Sequence, residues 1–472
     1  MRQPKIKVIN GKKYAYDMQS YWDKEQKKYR KKSVYLGRVL DEENAEYVKK
    51  RSELTESPII LNYGDVYSIN ACVESSVYAP VFKSILPKQN DTLMSLICYK
   101  LLRSSAMQYA QTWASGNYVS ILYKNASLSS QEISVFLKKL GSERLWRKFF
   151  TAYITKTIGE KTGVVLDSTG LPNEIDFPLS AWGNHGGESE RETRLIMVVE
   201  RQTGMPLYFR YMAGNIVDVS SLANTIEELK EMGVKTSFAL IDAGYYSEEN
   251  IVELFAKNIS FFTRLPAGRR LYKTLIREYS YDLEKVENLI TYGKRVLYVK
   301  RVSVDLFSHA GYAYIVCDIK RKADETTRFF ISAKEDGLDE QDIEEAIRNK
   351  GKFVLISSME IPINDVMPMY YMRQSAENLF GISKSFLDIL PIRTHSIETF
   401  RGYLMLTFLA LIVYLEYKKK LCNKYTVESA LMEMSNLMCR IYENNIIVSE
   451  PTKNMKDICA LLGCMGVKSS GV

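Results

Sequence analysis

"GVVLDSTGL", residues 163–171, sets three apolar residues, two of them β-branched, directly ahead of Asp167 and a group of small polar residues. A short, continuous apolar run bounded by turn formers suits a strand buried on both faces. "SFALIDAGYY", residues 237–246, repeats the pattern, with Asp242 following "FALI". Each Asp is expected at the carboxyl end of a central strand, the edge where open α/β sheets bind ligands. The residues after each, "STG" and "AG", leave space beside the carboxylate.

The neighbouring sequence extends the same sheet. "RLIMVVERQTGMPLYFRYM" (194–212) and "ISFFTRLP" (259–266) read as strands, and "VSSLANTIEELKEMG" (219–233) and "SEENIVELFAKN" (247–258) as amphipathic helices. Three strands in a meander followed by alternating helix and strand predict a mixed α/β sheet. Residues 267–350 carry "RVLYVKRVSVDL", "YAYIVCDIKRK" and "TRFFISAK", alternating segments that predict a separate β-rich insertion. "KFVLISS" at 352–358 then resumes strand character.

Upstream, residues 64–157 have helical periodicity. "SSQEISVFLKKLG" (129–141) opens with a Ser129 to Glu132 capping box and stops at Gly141, and "ERLWRKFFTAYITKT" (143–157) follows as a helix–turn–helix candidate. At the start, Asn10-Gly11 lies between alternating segments, a hairpin signal, so the first fifty residues read as a small antiparallel sheet. Residues 1–51 hold 15 Lys or Arg against seven Asp or Glu, which accounts for the net charge of +8. With six aromatic residues interleaved between Tyr14 and Tyr35, this arm suits phosphate contact and base stacking; a merely solvated basic face is the alternative.

Seven scattered cysteines without a CxxC pair predict reduced thiols in a cytoplasmic protein, and three isolated histidines offer no zinc site. The N-terminus has no signal-peptide pattern. "YLMLTFLALIVYLEY" (403–417) is shorter than the ~20 residues a bilayer requires and predicts a buried helix.

A third carboxylate comes from "YYMRQSAENLFGISKS", residues 370–385. At 100° per residue, Tyr370, Arg373, Glu377 and Lys384 return to nearly one angular position, so one helix would present all four on a single stripe. Singly, each feature has an ordinary explanation. An Asp after a strand commonly caps a turn, and Glu377, four residues after Arg373, could form a surface ion pair worth ~0.3–0.5 kcal/mol. Together, Asp167, Asp242 and Glu377 form a hard oxygen donor set suited to Mg²⁺ or Mn²⁺. Two such ions, roughly 3.5–4 Å apart, support phosphodiester displacement. Arg373, Lys384 and Tyr370 would face DNA phosphates beside them.

These residues resemble the DDE transposases of bacterial insertion sequences, of the insertion-sequence-four superfamily type with the Tyr-Arg-Glu-Lys signature. Tyr370, Arg373, Glu377 and Lys384 match Tyr-x2-Arg-x3-Glu-x6-Lys in full. "DSTGL" and "DAGYYSEENI" resemble the two Asp blocks, and Gly214, Asn215 and Asp218 resemble the "G-N-x-x-D" segment. The resemblance spans about 160–418. It implies an RNase H-like core interrupted by a β-rich insertion, with Asp167, Asp242 and Glu377 holding the family's two Mg²⁺ or Mn²⁺ ions and Tyr370, Arg373 and Lys384 on transposon-end DNA. It also implies a homodimer acting on double-stranded transposon ends and target DNA in a synaptic complex, in a bacterial, nucleoid-associated setting without a membrane.

The expected division is a basic N-terminal DNA-binding arm (1–60), a helical DNA-binding or linker domain (61–157), the two parts of the core (158–266 and 351–420), the insertion (267–350) and a C-terminal helical region (421–472). Lys27, Lys28, Arg30, Lys31 and Lys32 of the arm are expected on phosphates. Some relatives stack a flipped base on a Trp of the insertion; here that segment has none, though tyrosines stand there. "SAWGNHGGES" (180–189), carrying His185, reads either as a loop along DNA or as a surface loop. Two rival readings remain. One is a catalytically silent, transposase-derived DNA-binding protein. The other is a haloacid-dehalogenase-like phosphatase using Asp167, although that chemistry needs a second Asp where Thr169 stands.

Overall fold

Polar turn residues and switches in periodicity divide the chain as they would in any mixed fold, and the computed structural model describes residues 4–9, 12–23, 28–41, 46–49, 58–158, 163–173, 177–185, 188–215, 222–234, 238–333, 340–442 and 445–464. The chain forms two units: Met1–Leu61 with Cys439–Ile447, and Asn62–Met438 with Val448–Val472.

In the first unit, β1 (Lys5–Ile9), β2 (Lys12–Asp23), β3 (Lys28–Asp41) and β4 (Glu46–Lys49) form an antiparallel sheet in sequence order. Ile9 pairs with Lys12 across Asn10-Gly11, which themselves lie outside the described residues. Ala15 is buried, and Tyr35 packs edge-on against Tyr16 at 5.4 Å between ring centres. Lys28, Arg30, Lys31 and Lys32 are exposed along β3, while Lys27 lies outside the described residues. The strand β5 (Ile59–Asn62) closes the N-terminal part of this unit.

The second unit is built on one ten-stranded sheet. Its strands are β6 (Gly163–Pro172), β7 (Ala181–His185), β8 (Glu188–Glu200), β9 (Pro206–Ala213), β10 (Phe238–Ile241), β11 (Ser260–Arg264), β12 (Leu289–Tyr292), β13 (Arg295–Asp305), β14 (Ala310–Asp318) and β15 (Lys352–Ser357). The order is β12-β13-β14-β15-β11-β10-β6-β8-β7, with β9 also on β8. Only β6-β10 and β10-β11 are parallel; the other pairs are antiparallel. The mixed α/β class expected from the sequence is therefore observed. A small sheet of β5 with β16 (Met438–Tyr442) and β17 (Asn445–Val448) belongs, apart from its end residues, to the first unit.

Two expectations for residues 267–350 require correction. β12, β13 and β14 are hydrogen-bonded into the main sheet through β15 rather than forming a sheet of their own. In addition, "TRFFISAK" is not a strand, because its described part lies in the helix Ile319–Ala333. The Asp318 carboxylate accepts the Arg321 backbone N–H at 3.1 Å, and Arg321 pairs with Glu325 one turn on at 2.6 Å. A capped start and an i,i+4 pair outweigh the strand preference of Phe329, Phe330 and Ile331.

Helices support the sheet from residues on both sides of it in sequence. The helix Glu143–Thr157 packs Trp146 and Phe150 against Tyr208 and Phe209 of β9 and against Phe408, with ring centres 5.0–5.5 Å apart in the closest pairs. Phe408 belongs to the helix Ile397–Lys420, which is buried from Phe400 through most positions to Tyr417. By length and composition that helix could cross a membrane, but 72% of its apolar window is buried inside the protein.

It meets the helix Ser130–Leu140, whose capping box forms between Ser129 and Glu132 and whose C-cap is Gly141. A Cβ on Gly402 would stand 1.9 Å from the Leu137 carbonyl oxygen, and one on Gly141 would stand 1.8 Å from the Glu398 carbonyl oxygen. Both obstacles are backbone, so neither can rotate away. Gly402→Ala is expected to destabilise the protein by about 3 kcal/mol, read as a lower urea midpoint; an unchanged midpoint would mean that the helices can separate without cost.

Candidate active site

The parallel pair β6-β10 brings the two aspartates together. Leu166 is level with Ile241, both fully buried, so the next residues, Asp167 and Asp242, stand side by side on strands about 4.8 Å apart. Asp242 ends its strand as expected. It caps the turn Ala243–Tyr245, accepting the Gly244 N–H at 3.5 Å. Asp167 differs from expectation, since β6 continues beyond it to Pro172 in antiparallel pairing with β8, where Asp167 is opposite Met197. The parallel ladder ends at Leu166, one residue before Asp167, while the antiparallel pairing continues through Asp167 to Pro172.

Glu377 arrives from a helix broken in a way the sequence did not show. The helix Ile363–Tyr371 contains Pro368, and a new helix, Gln374–Gly381, starts beyond Met372 and Arg373. Pro368 has no N–H to give to the preceding turn and crowds its carbonyl, which favours a break close behind it. A π-helical turn, Ile382–Phe386, follows, closed by the Leu387 N–H on the Ile382 carbonyl at 2.9 Å. A continuous helix carrying one stripe is thus replaced by three short segments.

The four signature residues accordingly take different positions. Arg373 forms an ion pair with Asp242 and a second one with Glu377 at 2.6 Å, bridging the two carboxylates. Lys384 reaches back to β6, donating to the Thr169 hydroxyl at 2.8 Å and to the Gly170 carbonyl at 3.0 Å. Tyr370 packs its ring 5.6 Å from Phe353 and 5.5 Å from Tyr371. Arg373 and Glu377 therefore join the aspartates, Lys384 braces the strand that carries Asp167, and Tyr370 lies among aromatic residues.

Asp167 is 7% exposed, and burial, followed by repulsion from Asp242, pushes its carboxyl up to about 7 against the attraction of Arg373. Desolvation and a like charge both disfavour the ionised form. Burial likewise moves Lys384 below the usual lysine range, opposed by Glu192 and Glu190. A carboxyl on β6 and an amine bonded to the same strand, both shifted toward neutrality, are the pattern of a functional site.

Sequence reasoning overlooked Thr169 as the seat of Lys384, although its position two residues after Asp167 puts it on the same face of the strand. It also overlooked Glu192 of β8, which is fully buried with Arg194 at 3.6 Å. Gly183 and Gly214 make room for it, since a Cβ on either would come within 2.9 Å of its side chain. Asp218, the remaining member of the "G-N-x-x-D" segment, lies outside the described residues, as does the side chain of His185.

A family model described as the transposase DDE domain matches residues 158–413, more than half of the chain. The chain belongs to this family. The matched part of this transposase contains Asp167, Asp242, Arg373, Glu377 and Lys384. None of the curated proteins compared with it matches. Among solved structures it is similar to a piggyBac transposase synaptic complex with hairpin DNA, at 10% identity and a TM-score of 0.37, over 79% of this chain and 70% of that one.

A hard divalent cation suits the donor chemistry of the transposase's three carboxylates, two of them adjacent and the third joined through Arg373. The side chains are not drawn in to a single point, however. Among the described residues no three His, Cys, Asp or Glu form a group placed to hold a metal ion. The Arg373 guanidinium supplies the positive charge between Asp242 and Glu377 instead.

Proposed function

We propose that this chain is a metal-dependent transposase of an insertion sequence of the insertion-sequence-four type. It binds terminal inverted repeats as a homodimer, cleaves DNA at those ends, and joins the freed 3′-hydroxyl to target DNA. The observation that carries this reading is the meeting of Asp167 and Asp242 on neighbouring strands with Glu377 joined to them through Arg373. In this reading the β6, β8, β9, β10 and β11 region is the RNase H-like core, and 267–350 is the segment inserted before the Glu-bearing helix.

Asp167, Asp242 and Glu377 would hold Mg²⁺ or Mn²⁺, which, when bound, activates a water or 3′-hydroxyl and stabilises the leaving oxygen. The chain's own residues do the positioning. The β6-β10 ladder fixes the aspartates, Lys384 ties β6 to the π-helical turn, and Arg373 offers a planar fork for a DNA phosphate once it leaves the carboxylates. Incubation of the protein and Mg²⁺ with DNA carrying the element's terminal repeats should give nicked ends and joined products. Phosphate release from small phosphomonoesters without DNA cleavage would favour the phosphatase reading instead.

The N-terminal sheet is proposed to read the ends through phosphates. Lys28, Arg30, Lys31 and Lys32 are all exposed on β3. Replacing these four by Gln is expected to reduce the slope of log binding constant against log salt by ~0.9 for each phosphate no longer neutralised, up to about 3.6. An unchanged slope would assign this charge to solubility alone.

A further inference from the structure

We propose that a cavity between the helix Asn90–Leu102, the helix Ser130–Leu140 and residues 387–394 is a binding site for a phosphomonoester. The cavity is about 200 Å³ and starts only three residues beyond Lys384 in the chain. Lys100 lines it at 4% exposure. Its ammonium donates to the Leu387 carbonyl at 2.9 Å and the Tyr403 hydroxyl at 3.2 Å, and stands 4.3 Å over the Tyr403 ring. All three partners are neutral, and among the described residues no carboxylate pairs with Lys100. Burying a charge on neutral acceptors alone is costly, and burial lowers the Lys100 ammonium to about 7.

Two arginines share the same lining. Arg103 and Arg393 are exposed, and among the described residues neither forms an ion pair. Asp388 also lines the cavity and subtracts one charge. With its ammonium near 7, Lys100 carries about half a charge at neutral pH, so together with Arg103, Arg393 and Asp388 it leaves an excess of about +1.5, which a phosphomonoester at about −1.5 to −2 balances better than a monovalent carboxylate does. Guanidinium forks suit phosphate oxygens. The volume equals about seven waters at ~30 Å³ each, below the usual 300–1,000 Å³ of drug-sized pockets, so it fits a phosphate with part of a sugar. The same chemistry could come from the 5′-phosphate of a DNA end or from a free phosphate. The site stands whether or not the protein cleaves DNA.

The full-length protein should be melted in rising inorganic phosphate against chloride at matched ionic strength. Binding of a short single-stranded oligonucleotide should be compared with and without its 5′-phosphate. Wild type is expected to gain melting temperature in phosphate beyond chloride, and the Arg103→Gln/Arg393→Gln protein to bind phosphate at least about tenfold more weakly. Lys100→Met should melt no lower than wild type in chloride yet lose the response to phosphate. At least about tenfold tighter binding of the 5′-phosphorylated strand would identify a DNA end as the source, and equal binding of both strands beside a retained phosphate response would identify a free phosphate. Absence of a phosphate response in wild type, or its full retention in the double arginine variant, would overturn the site.

Discussion

Asp167→Asn is expected to lower metal-dependent nicking of transposon-end DNA by about a thousandfold and, at the same time, to stabilise the metal-free protein at pH 8. The two effects have one origin. Asp167 is held beside Asp242 in a buried strand, where its charge is useful to a cation and costly without one. Its folded carboxyl lies near 7, above the ordinary 3.8, so the folded protein binds this proton more tightly than the unfolded chain does. The stability linked to that proton is fully present below about pH 3.8 and is lost as pH rises through about 7. Asn carries no such charge and should outlast wild type at pH 8 by on the order of 3 kcal/mol, with the advantage shrinking toward pH 4.

Urea unfolding in EDTA at the two pH values reads the stability, and gel analysis of nicked DNA reads the chemistry. A variant that unfolds more easily than wild type at pH 8 would show that Asp167 is a structural anchor rather than a charge kept for a cation. Asp242→Asn and Glu377→Gln should match the loss of nicking. They should not share the stabilisation, because each of those carboxylates already has Arg373 as counter-charge.

What could be read from the sequence followed from burial. "VVL" and "FALI" are apolar without interruption, and such runs become central strands whose next residues fall at one edge; Val164 through Leu166 and Ala239 through Ile241 are at most 1% exposed. The capping box at Ser129 and the long buried helix over 403–417 were legible for similar reasons, being local hydrogen bonding and plain hydrophobicity. The continuation of β6 past Asp167 was not, because it depends on pairing with β8 about thirty residues away. The Phe-Phe-Ile segment at 329–331 misled because β-propensity reports fit to a half-buried sheet surface, whereas Asp318 and the Arg321–Glu325 pair had already set a helix.

The signature helix failed differently. Angular arithmetic assumes one uninterrupted helix, and Pro368 together with the π-helical turn invalidates it on both sides of Glu377. The local spacing from Arg373 to Glu377 survives within a single turn, so their i,i+4 pairing was readable, while the targets of Lys384 on β6 were not.

Arg373→Gln is expected to change metal binding and catalysis in opposite directions. The guanidinium now stands between Asp242 and Glu377, so a cation entering from solution has to displace it or share the carboxylates with it. The carboxylates are 35% and 46% exposed, and pairs in that setting are worth only about 0.2–1 kcal/mol each. Removing both pairs should therefore tighten Mn²⁺ binding to the DNA-free protein by about tenfold, since 1.4 kcal/mol corresponds to that factor. Nicking should nevertheless fall by about a hundredfold, because the DNA phosphate no longer meets a planar fork. Arg373→Lys should stay closer to wild type in Mn²⁺ affinity, keeping the charge, yet lose most of the nicking, since an ammonium cannot reproduce a bidentate grip. Calorimetric titration of Mn²⁺ and a nicking assay on the same preparations separate the two effects. If affinity and nicking fell together in Arg373→Gln, the guanidinium would be a fixed brace of the carboxylates, and its exchange between carboxylates and DNA would be wrong.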